Sequence, residues 1–483
     1  MHNSKKYFAY AEEKQYDPFA TVLLVGPSQG GPVGTPFLLY SEDDAKEFLG
    51  DSPLYDAYTA CAAAKVPDII LYRINGEHAE TVVKHPVTGE PMFNLYAICG
   101  GEYGNDIRIM LYETHLLIDE VAVDGRRREY DFSRFPNVQE LVQAINNDAT
   151  FGLTGVMAHA LSDAKLSFSL PLPVLIQLNN GVSDAWMCEN RWDKDWQAND
   201  KQLLTDSFIN NLFEDDSVHP YLGMLNFNTM VLAGWYMEDD FSFIQKLEDF
   251  AQEKSVVSDV GCTIVVGTEP ITTVTNESVA DKKDALMSVE KGKYPHVQVV
   301  VGEGYFEIDG PMISMASAYG ALLGTIKHNI IPTNKKLEGI LGLNYELSQK
   351  YVASLSSNGY ICIVPSIRKG YVPFYATIFS STKETSNKPH IIRTIQYLHY
   401  ELQIKTSQFI GDPMLRRQKQ QLEQFLKEIL DEYVKNQWVR SYESSISYKE
   451  SDTLAVIDLV FQFYGEIERV QSNTTVYIAR GNS

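Results

Sequence analysis

Residues 229–266 read TMVLAGWYMEDDFSFIQKLEDFAQEKSVVSDVGCTIVV, and their periodicity decides the fold class. Thr229 to Ala233 is an apolar run of strand length, and Thr263 to Val266 is another. Between them, from about Phe241 to Lys254, Phe243, Leu247, Phe250 and Ala251 recur at helical spacing. Strand, helix and strand in that length make a βαβ unit, so a parallel sheet with helices against it is expected. Val297 to Val301 adds a further strand, apolar enough to be buried on both faces.

Working outward, residues 17 to 25 end in an apolar run that stops at Gly26-Pro27-Ser28-Gln29-Gly30-Gly31-Pro32, a strand meeting a loop. Pro36 to Tyr40 is a second strand. Ser41 with Asp44 resembles a capping box for a helix over 43–49, and Ser52-Pro53 opens a helix with Leu54, Tyr58 and Cys61 on one face. Lys65-Val66-Pro67 ends that helix, and Ile69 to Tyr72 is a third strand, an α/β alternation. From about residue 91 the period falls to two. Ile107, Ile109 and Leu111 share one face, and Leu117, Val121 and Val123 begin another series. Asn137 caps a helix carrying Val138, Leu141, Val142 and Ile145, and Pro173 to Leu178 reads as the strand opening the next region. Asp412-Pro413 introduces a helix to about Asn436 with Leu415, Leu422, Phe425, Leu426, Ile429 and Tyr433 inward. Residues 454–463 then alternate Ala455, Ile457, Leu459, Phe461 and Phe463.

A chain of 483 residues has room for about three domains at ~150 residues each. With 44% hydrophobic and 22% charged residues it is globular, which excludes disordered and collagen-like classes. A formal charge of −22 argues against a generic binder of nucleic acid or anionic membrane, which needs clustered Lys and Arg. The five cysteines stand singly, without CxxC, and read as core residues in a reducing compartment. Charged residues at 12–14 interrupt any secretory apolar region near the N-terminus, so assembly in a cytoplasm is expected. Pro311 to Ile326 is the longest weakly polar run, too short and too rich in Ser and Gly to span a bilayer.

The candidate chemical motifs carry little. The loop from Gly26 to Gly34 has no Gly-Lys-Ser/Thr, two of its prolines lack N–H donors, and a strand follows it, so it reads as a structural turn rather than a phosphate cradle. The ten histidines include no HExxH, and there is no Gly-x-Ser-x-Gly elbow. Glu214-Asp215-Asp216 and Glu238-Asp239-Asp240 are acidic clusters without EF-hand spacing, which face solvent more often than they hold a cation. No cofactor or metal is expected.

Charge is distributed unevenly. Residues 184–259 hold 16 acidic and 5 basic side chains, net −11, and residues 363–440 hold 12 basic and 7 acidic, net +5. Such polarity can orient a subunit against a partner, or be an ordinary solvated surface. The segments Lys5 to Tyr10 and Thr474 to Ala479 are short apolar strands near the two chain ends. Each can complete a neighbour's sheet by main-chain pairing or lie in its own sheet; the residues alone leave both readings open.

Taken in order, these motifs resemble those of sheath proteins from contractile phage tails and related phage-tail-like particles. The resemblance runs over most of the chain. It rests on the first strand with Gly26-Pro27, Gly31-Pro32, Pro36, Ser41 and Phe48-x-Gly50, an alanine-rich helix, and the strand ending near Arg73. It continues through Tyr103-Gly104-Asn105-Asp106-Ile107, Ala144-Ile145-Asn146, and Leu178-Asn179-Asn180-Gly181-Val182-Ser183-Asp184, where the family's two middle glycines are replaced. Pro332-x-Asn334, the stretch from Gly359 to Gly370 and the terminal Thr475-Val476-Tyr477-Ile478-Ala479-Arg480 also fit.

The resemblance implies a multidomain α/β and β protein that is no enzyme. An N-terminal arm (1–20) precedes an N-terminal α/β domain (21–90), a β-sandwich domain (91–171) and a subtilisin-like α/β domain without catalytic residues (172–350). An α+β C-terminal sheath domain (351–470) and a C-terminal arm (471–483) follow. The implied function is mechanical: subunits stack as sixfold rings around an inner tail tube and contract to drive the tube through a target cell envelope. Implied partners are other copies, the tube protein, and baseplate and terminator proteins, with neither direct nucleic-acid contact nor membrane insertion. The particle would be assembled in the host cytoplasm as part of a virion tail or phage-tail-like device. Carried over by residue, Tyr7, Phe8 and Tyr10 and Val476, Tyr477 and Ile478 exchange strands between subunits, and Arg416, Arg417 and Lys419 face the tube. A cytosolic α/β enzyme, such as a degenerate hydrolase, and a non-contractile homomeric scaffold are the alternatives.

Overall fold

The computed structural model describes residues 8–10, 17–39, 41–120, 125–150, 153–167, 169, 173–189, 191, 194–215, 217–257, 260–290, 292–307, 310–380, 388–410, 416–449 and 454–464. The chain divides into two compact units, residues 1–400 and 401–483.

The first unit is organised by a nine-stranded sheet. In chain order its strands are β1 (Phe8–Tyr10), β2 (Thr21–Gly26), β3 (Phe37–Leu39) and, after helix α1 (Pro53–Ala63), β4 (Asp68–Arg73). The chain leaves the sheet after β4 and builds seven strands: β5 (Glu80–Lys84), β6 (Pro91–Ala97), β7 (Arg108–Leu111), β8 (His115–Glu120), β9 (Arg126–Asp131), β10 (Val156–Ala160) and β11 (Val174–Gln177). Helix α2 (Val138–Thr150) falls between β9 and β10. After helix α3 (Ala198–Leu212) it returns with β12 (Thr229–Tyr236), helix α4 (Phe243–Val257), β13 (Thr263–Gly267), β14 (Val297–Val301), helix α5 (Met315–Thr325), β15 (Tyr360–Ser366) and β16 (Gly370–Pro373). Strand order is β1-β3-β4-β2-β12-β13-β14-β15-β16. Pairings from β4 through β2 to β15 are parallel, and those at both edges are antiparallel.

The βαβ reading of 229–266 holds: Thr229 pairs with Thr263 in a parallel ladder, and Phe243, Leu247, Phe250 and Ala251 are buried. Both faces of the sheet are covered. Leu23, Val25, Met230, Leu232 and Ile264 point into one core with Phe208 of α3 and Phe250 of α4. Val22, Leu24, Val231, Ala233 and Val265 point into another, with Leu54 of α1 and Leu322 of α5. Two-sided burial is why these strands are continuous apolar runs. It also explains the run from Pro311 to Ile326. Every residue of α5 from Met315 to Gly324 is buried against the sheet, and a Cβ at Gly320 or Gly324 would collide with Val231 or Val22. Among the described residues no helix is long and apolar enough to cross a membrane.

Strands β5–β11 form two small antiparallel sheets, β10-β6-β5 and β11-β7-β8-β9, closed with α2 over a core that includes Phe93, Ile109, Ile118, Leu141 and Ile145. Three sequence expectations change here and nearby. The strand expected to open the next region, β11, pairs instead with β7, so it closes the β-rich sheet. In β8 the core residues are Leu116 and Ile118, whereas Leu117 lies on the other face beside Met110 and Leu175; Val121 and Val123 lie outside the described residues. Both faces carry apolar residues, so alternation alone did not select the inner one. Ser41 makes no capping hydrogen bond, and a 3-10 turn precedes the short helix Ala45–Leu49, whereas Ser52 does cap α1 by accepting from Tyr55 N at 3.3 Å.

Helix α6 (Pro389–Thr406) is tied to the sheet by buried polar groups in its first turns. Arg393, fully buried, donates from Nε to Asn228 Oδ1 at 3.1 Å and from Nη2 to Leu323 O at 2.8 Å, at the C-terminal end of α5. Asn228 Nδ2 donates to Gly261 O at 2.7 Å and to Gln396 Oε1 at 2.8 Å, and Gln396 Nε2 donates to Cys262 O at 3.0 Å. Burial draws the Arg393 pKa down to about 10. Beside it His328 stacks on Tyr397 with ring centroids 3.8 Å apart. Burial first, then Arg393 and Lys327, push the His328 pKa down to about 3, and burial with Lys388 pushes that of His390 down to about 4.

A folded-state imidazole pKa below its ordinary value of about 6.5 means that the unfolded chain binds more protons in that window, so these histidines remove stability as pH falls. His328→Phe, which keeps an aromatic ring, is therefore expected to lose less melting temperature than the wild type between pH 7 and pH 5. Equal losses would contradict this account of His328.

Candidate assembly surfaces

The glycine loop and the second acidic cluster that a sequence search for chemistry singles out are bound up in the fold, whereas Glu214 and Asp215 of the first cluster are exposed and Asp216 lies outside the described residues. Arg73, fully buried, donates from Nη1 to Gly31 O at 2.9 Å and to Gly100 O at 2.8 Å, and Ser28 N donates to Asn75 Oδ1 at 2.8 Å. The glycine loop is thus folded around an arginine of its own chain. Glu238 accepts from Lys282 Nζ at 2.5 Å and Glu269 N at 2.9 Å, and Asp240 accepts from Ser242 N at 2.9 Å just before α4. Asp239 takes both terminal nitrogens of Arg191, each at 2.9 Å, together with Tyr236 N. Burial holds the Asp239 pKa above its ordinary value despite Arg191. Glu303 is buried with neither oxygen hydrogen-bonded among the described residues, and burial, opposed by Lys282, drives its pKa well up. Among the described residues no group of three or more His, Cys, Asp and Glu is arranged to hold a metal ion.

Unfinished edges are the more informative feature. Phe8 and Tyr10 lie in β1, opposite Leu39 and Phe37 of β3, so this strand pairs within its own chain. It is the last strand of the sheet on that side. Tyr7, Val476, Tyr477 and Ile478 lie outside the described residues.

In the second unit, helix α7 (Arg416–Lys435) packs on an antiparallel ribbon of two nine-residue strands, β17 (Ser441–Lys449) and β18 (Leu454–Gln462). The helix buries Leu422, Leu426, Ile429 and Tyr433, four of the inward residues read from its spacing; Phe425 is half-buried, and Leu415 with the expected Asp412-Pro413 cap lies outside the described residues. Register places Tyr442 opposite Phe461, Ile446 opposite Ile457 and Tyr448 opposite Ala455 on one face, and Glu443 opposite Val460 and Ser445 opposite Asp458 on the other. The alternation expected from Ala455 to Phe463 is present: Asp458, Val460 and Gln462 are exposed, and the odd-numbered residues between them half-buried. The ribbon has two strands and no third among the described residues. Isolated two-stranded ribbons are marginally stable in water, and among the described residues neither edge of this one is paired with a further strand.

The three cations assigned to a tube-facing surface sit in the first turn of α7, and they are not equivalent. Arg416 and Arg417 are exposed, with no ion pair among the described residues. Lys419 lies over the Tyr448 ring, its Nζ 4.6 Å from the centroid, while Tyr448 Oη donates to Lys419 O at 3.2 Å. A helix N-terminus carries partial positive charge, so cations there are unfavourable by about 0.3–1 kcal/mol each. No acidic residue occupies that first turn.

Comparisons with known proteins agree with this architecture. No family model and no curated protein matches the chain. Among solved structures, a sheath tail protein from Listeria innocua matches 94% of this chain and 93% of its own length, with a TM-score of 0.55 at 14% identity. A sheath tail protein from Desulfitobacterium hafniense matches 95% of this chain and 100% of its own length, with a TM-score of 0.50 at 13% identity. The chain therefore shares the mixed α/β fold of sheath tail proteins over nearly its whole length.

Because Arg416 and Arg417 are exposed in the first turn of α7 with no ion pair among the described residues, the double substitution Arg416→Glu/Arg417→Glu should raise the unfolding free energy by about 1–2 kcal/mol through the helix dipole. Urea denaturation measures this, and a large loss would show that the pair supports the fold.

Proposed function

We propose that the chain is the structural subunit of a contractile tail sheath, polymerising around an inner tube and contracting to drive that tube through a cell envelope. The observation that carries this reading is the likeness to sheath tail proteins across 94% of the chain. The open ribbon β17–β18 supports it, since a sheet of two strands gains most from strands supplied by other subunits. In this reading the residues supplied are Tyr7, Phe8 and Tyr10 from one arm, where β1 would exchange its pairing with β3 of its own chain for the same pairing with a neighbour, and Val476, Tyr477 and Ile478 from the other. Main-chain pairing of this kind tolerates varied side chains and survives large rigid-body movement when the flanking segments act as hinges.

Assembly would place copies in stacked sixfold rings, with baseplate and terminator proteins at the two ends and the particle put together in a host cytoplasm. The work of contraction would come from greater burial between subunits in the contracted lattice, without nucleotide, because a shift between two packings needs only a difference in their free energies. Arg416 and Arg417, placed against the helix dipole with no ion pair among the described residues, suit a loose electrostatic hold on an acidic tube surface.

Negative-stain microscopy of the concentrated chain with its tube protein should show tubes with a wide lumen. Removing residues 1–10 or 474–483 should abolish them with the circular dichroism unchanged. Discrete particles from the intact chain under all these conditions would defeat the sheath reading. Arg416→Glu/Arg417→Glu should reduce sheathing of tubes severalfold; normal sheathing by this variant would remove the pair from the tube contact.

A further inference from the structure

At the carboxyl end of β12 the sheet opens into a crevice of about 260 Å³. Strand order explains its position. From β2 the chain winds outward to β3 and β4, and from β12 it winds the opposite way to β13 and β14, so the direction reverses between the neighbours β2 and β12. Helices leave opposite faces at such a point, and the gap beyond the strand ends is where open α/β sheets receive ligands.

The walls are chemically unbalanced. Asp56, in the first turn of α1, is half-buried and accepts no hydrogen bond and makes no ion pair among the described residues. Burial first, reinforced by Asp51 and opposed by Lys46, pushes its pKa up to about 7; Lys46 itself pairs with Asp51 at 3.2 Å. Across from these carboxylates, Arg191 is 8% exposed and uses both terminal nitrogens on Asp239, which leaves its buried Nε without an acceptor. The buried Nε1 of Trp196, whose ring centroid lies 4.3 Å from the Arg191 guanidinium carbon, also has no acceptor among the described residues. Met187 and Met312 add apolar surface. A half-buried carboxylate that makes no ion pair among the described residues, beside methionine side chains, matches a segment that offers a basic side chain next to an apolar one.

We propose that this crevice receives the hairpin tip, residues 367–369, of a second copy of the chain. The tip joins β15 to β16 and carries a fully exposed Ile367 next to an exposed Arg368 that has no ion pair among the described residues. Lys369 is held by its own chain, Nζ donating to Asn334 O at 2.8 Å, which leaves Arg368 as the available cation. Strand β15 runs parallel to β14, so the tip emerges at the same end of the sheet as the crevice, three strand spacings from β12 or about 14 Å. A chain therefore does not insert its own tip, and a neighbour supplies it. Arg368 then meets Asp56, and Ile367 packs on the methionines. This contact deepens the proposed self-assembly and rests on it.

The test uses the unassembled full-length chain and a fluorescein-labelled, disulfide-closed peptide spanning residues 363–373, read by fluorescence anisotropy. Saturable capture is expected, weaker by about tenfold with the near-isosteric Asp56→Asn. The peptide carrying Arg368→Glu should bind the wild-type chain at least tenfold more weakly and regain binding to an Asp56→Lys chain. No capture, or equal capture by wild type and Asp56→Asn, overturns the proposal. So does preferential capture of a peptide of residues 1–10, which would assign the crevice to the lysines of that arm. Failure here is distinct from failure of the sheath reading: tubes formed by a chain that captures no peptide refute the crevice contact alone, and capture without tubes refutes the sheath alone.

Discussion

Arg393 brings a guanidinium into the interior with no ion pair among the described residues, and the closure of the first unit depends on how that charge is satisfied. Carbonyl oxygens at the end of α5 and the Asn228 amide replace solvent at Nε and Nη2, while the buried Nη1 has no hydrogen-bond partner among the described residues, and Asn228 and Gln396 then reach the backbone just before β13. The C-terminal carbonyls of a helix carry partial negative charge, which compensates a cation in the absence of a carboxylate. One set of hydrogen bonds therefore links the sheet, its buried helix and α6. Losing a single member would strand buried polar groups, which costs more than one hydrogen bond contributes.

That rigidity contrasts with the periphery. The sheet ends on the three-residue strand β1, and the second unit ends on a ribbon of two strands. Proteins that remain monomeric cover or blunt such edges; a subunit intended for a lattice gains by leaving them available. The placement of uncompensated charge follows the same division: Arg416, Arg417 and Arg368 are exposed cations without an ion pair among the described residues, whereas the acidic cluster 238–240 is consumed by internal contacts.

Much of this was legible in the residues because two-sided burial writes a strong signal. The runs at 21–26, 229–233, 263–266 and 297–301 are all strands, and the helix spacings after Ser52, Asn137 and Phe241 all correspond to helices with the expected faces inward. Where the signal was symmetric the reading failed. Leu116, Leu117 and Ile118 are consecutive apolar residues, and only pairing with β7 decides which of them faces the core. Pro173 to Leu178 is recognisable as a strand, yet its partner is more than sixty residues earlier, so its sheet was not. Ser41 has the right residue type for a cap but no hydrogen bond in that position, because the chain enters the short helix through a 3-10 turn.

Local composition by itself determined the α/β class, the position of most elements and the polarity of charge along the chain, because period, capping and burial act over a few residues. Only the tertiary structure decided that strands from the first seventy-five residues share a sheet with strands beyond 228, with the β-rich segment inserted between them. The same assembly created the crevice where the winding reverses, from residues as far apart as Asp56, Arg191 and Met312. Such features rest on main-chain hydrogen bonds between distant segments, and these are nearly indifferent to side-chain identity.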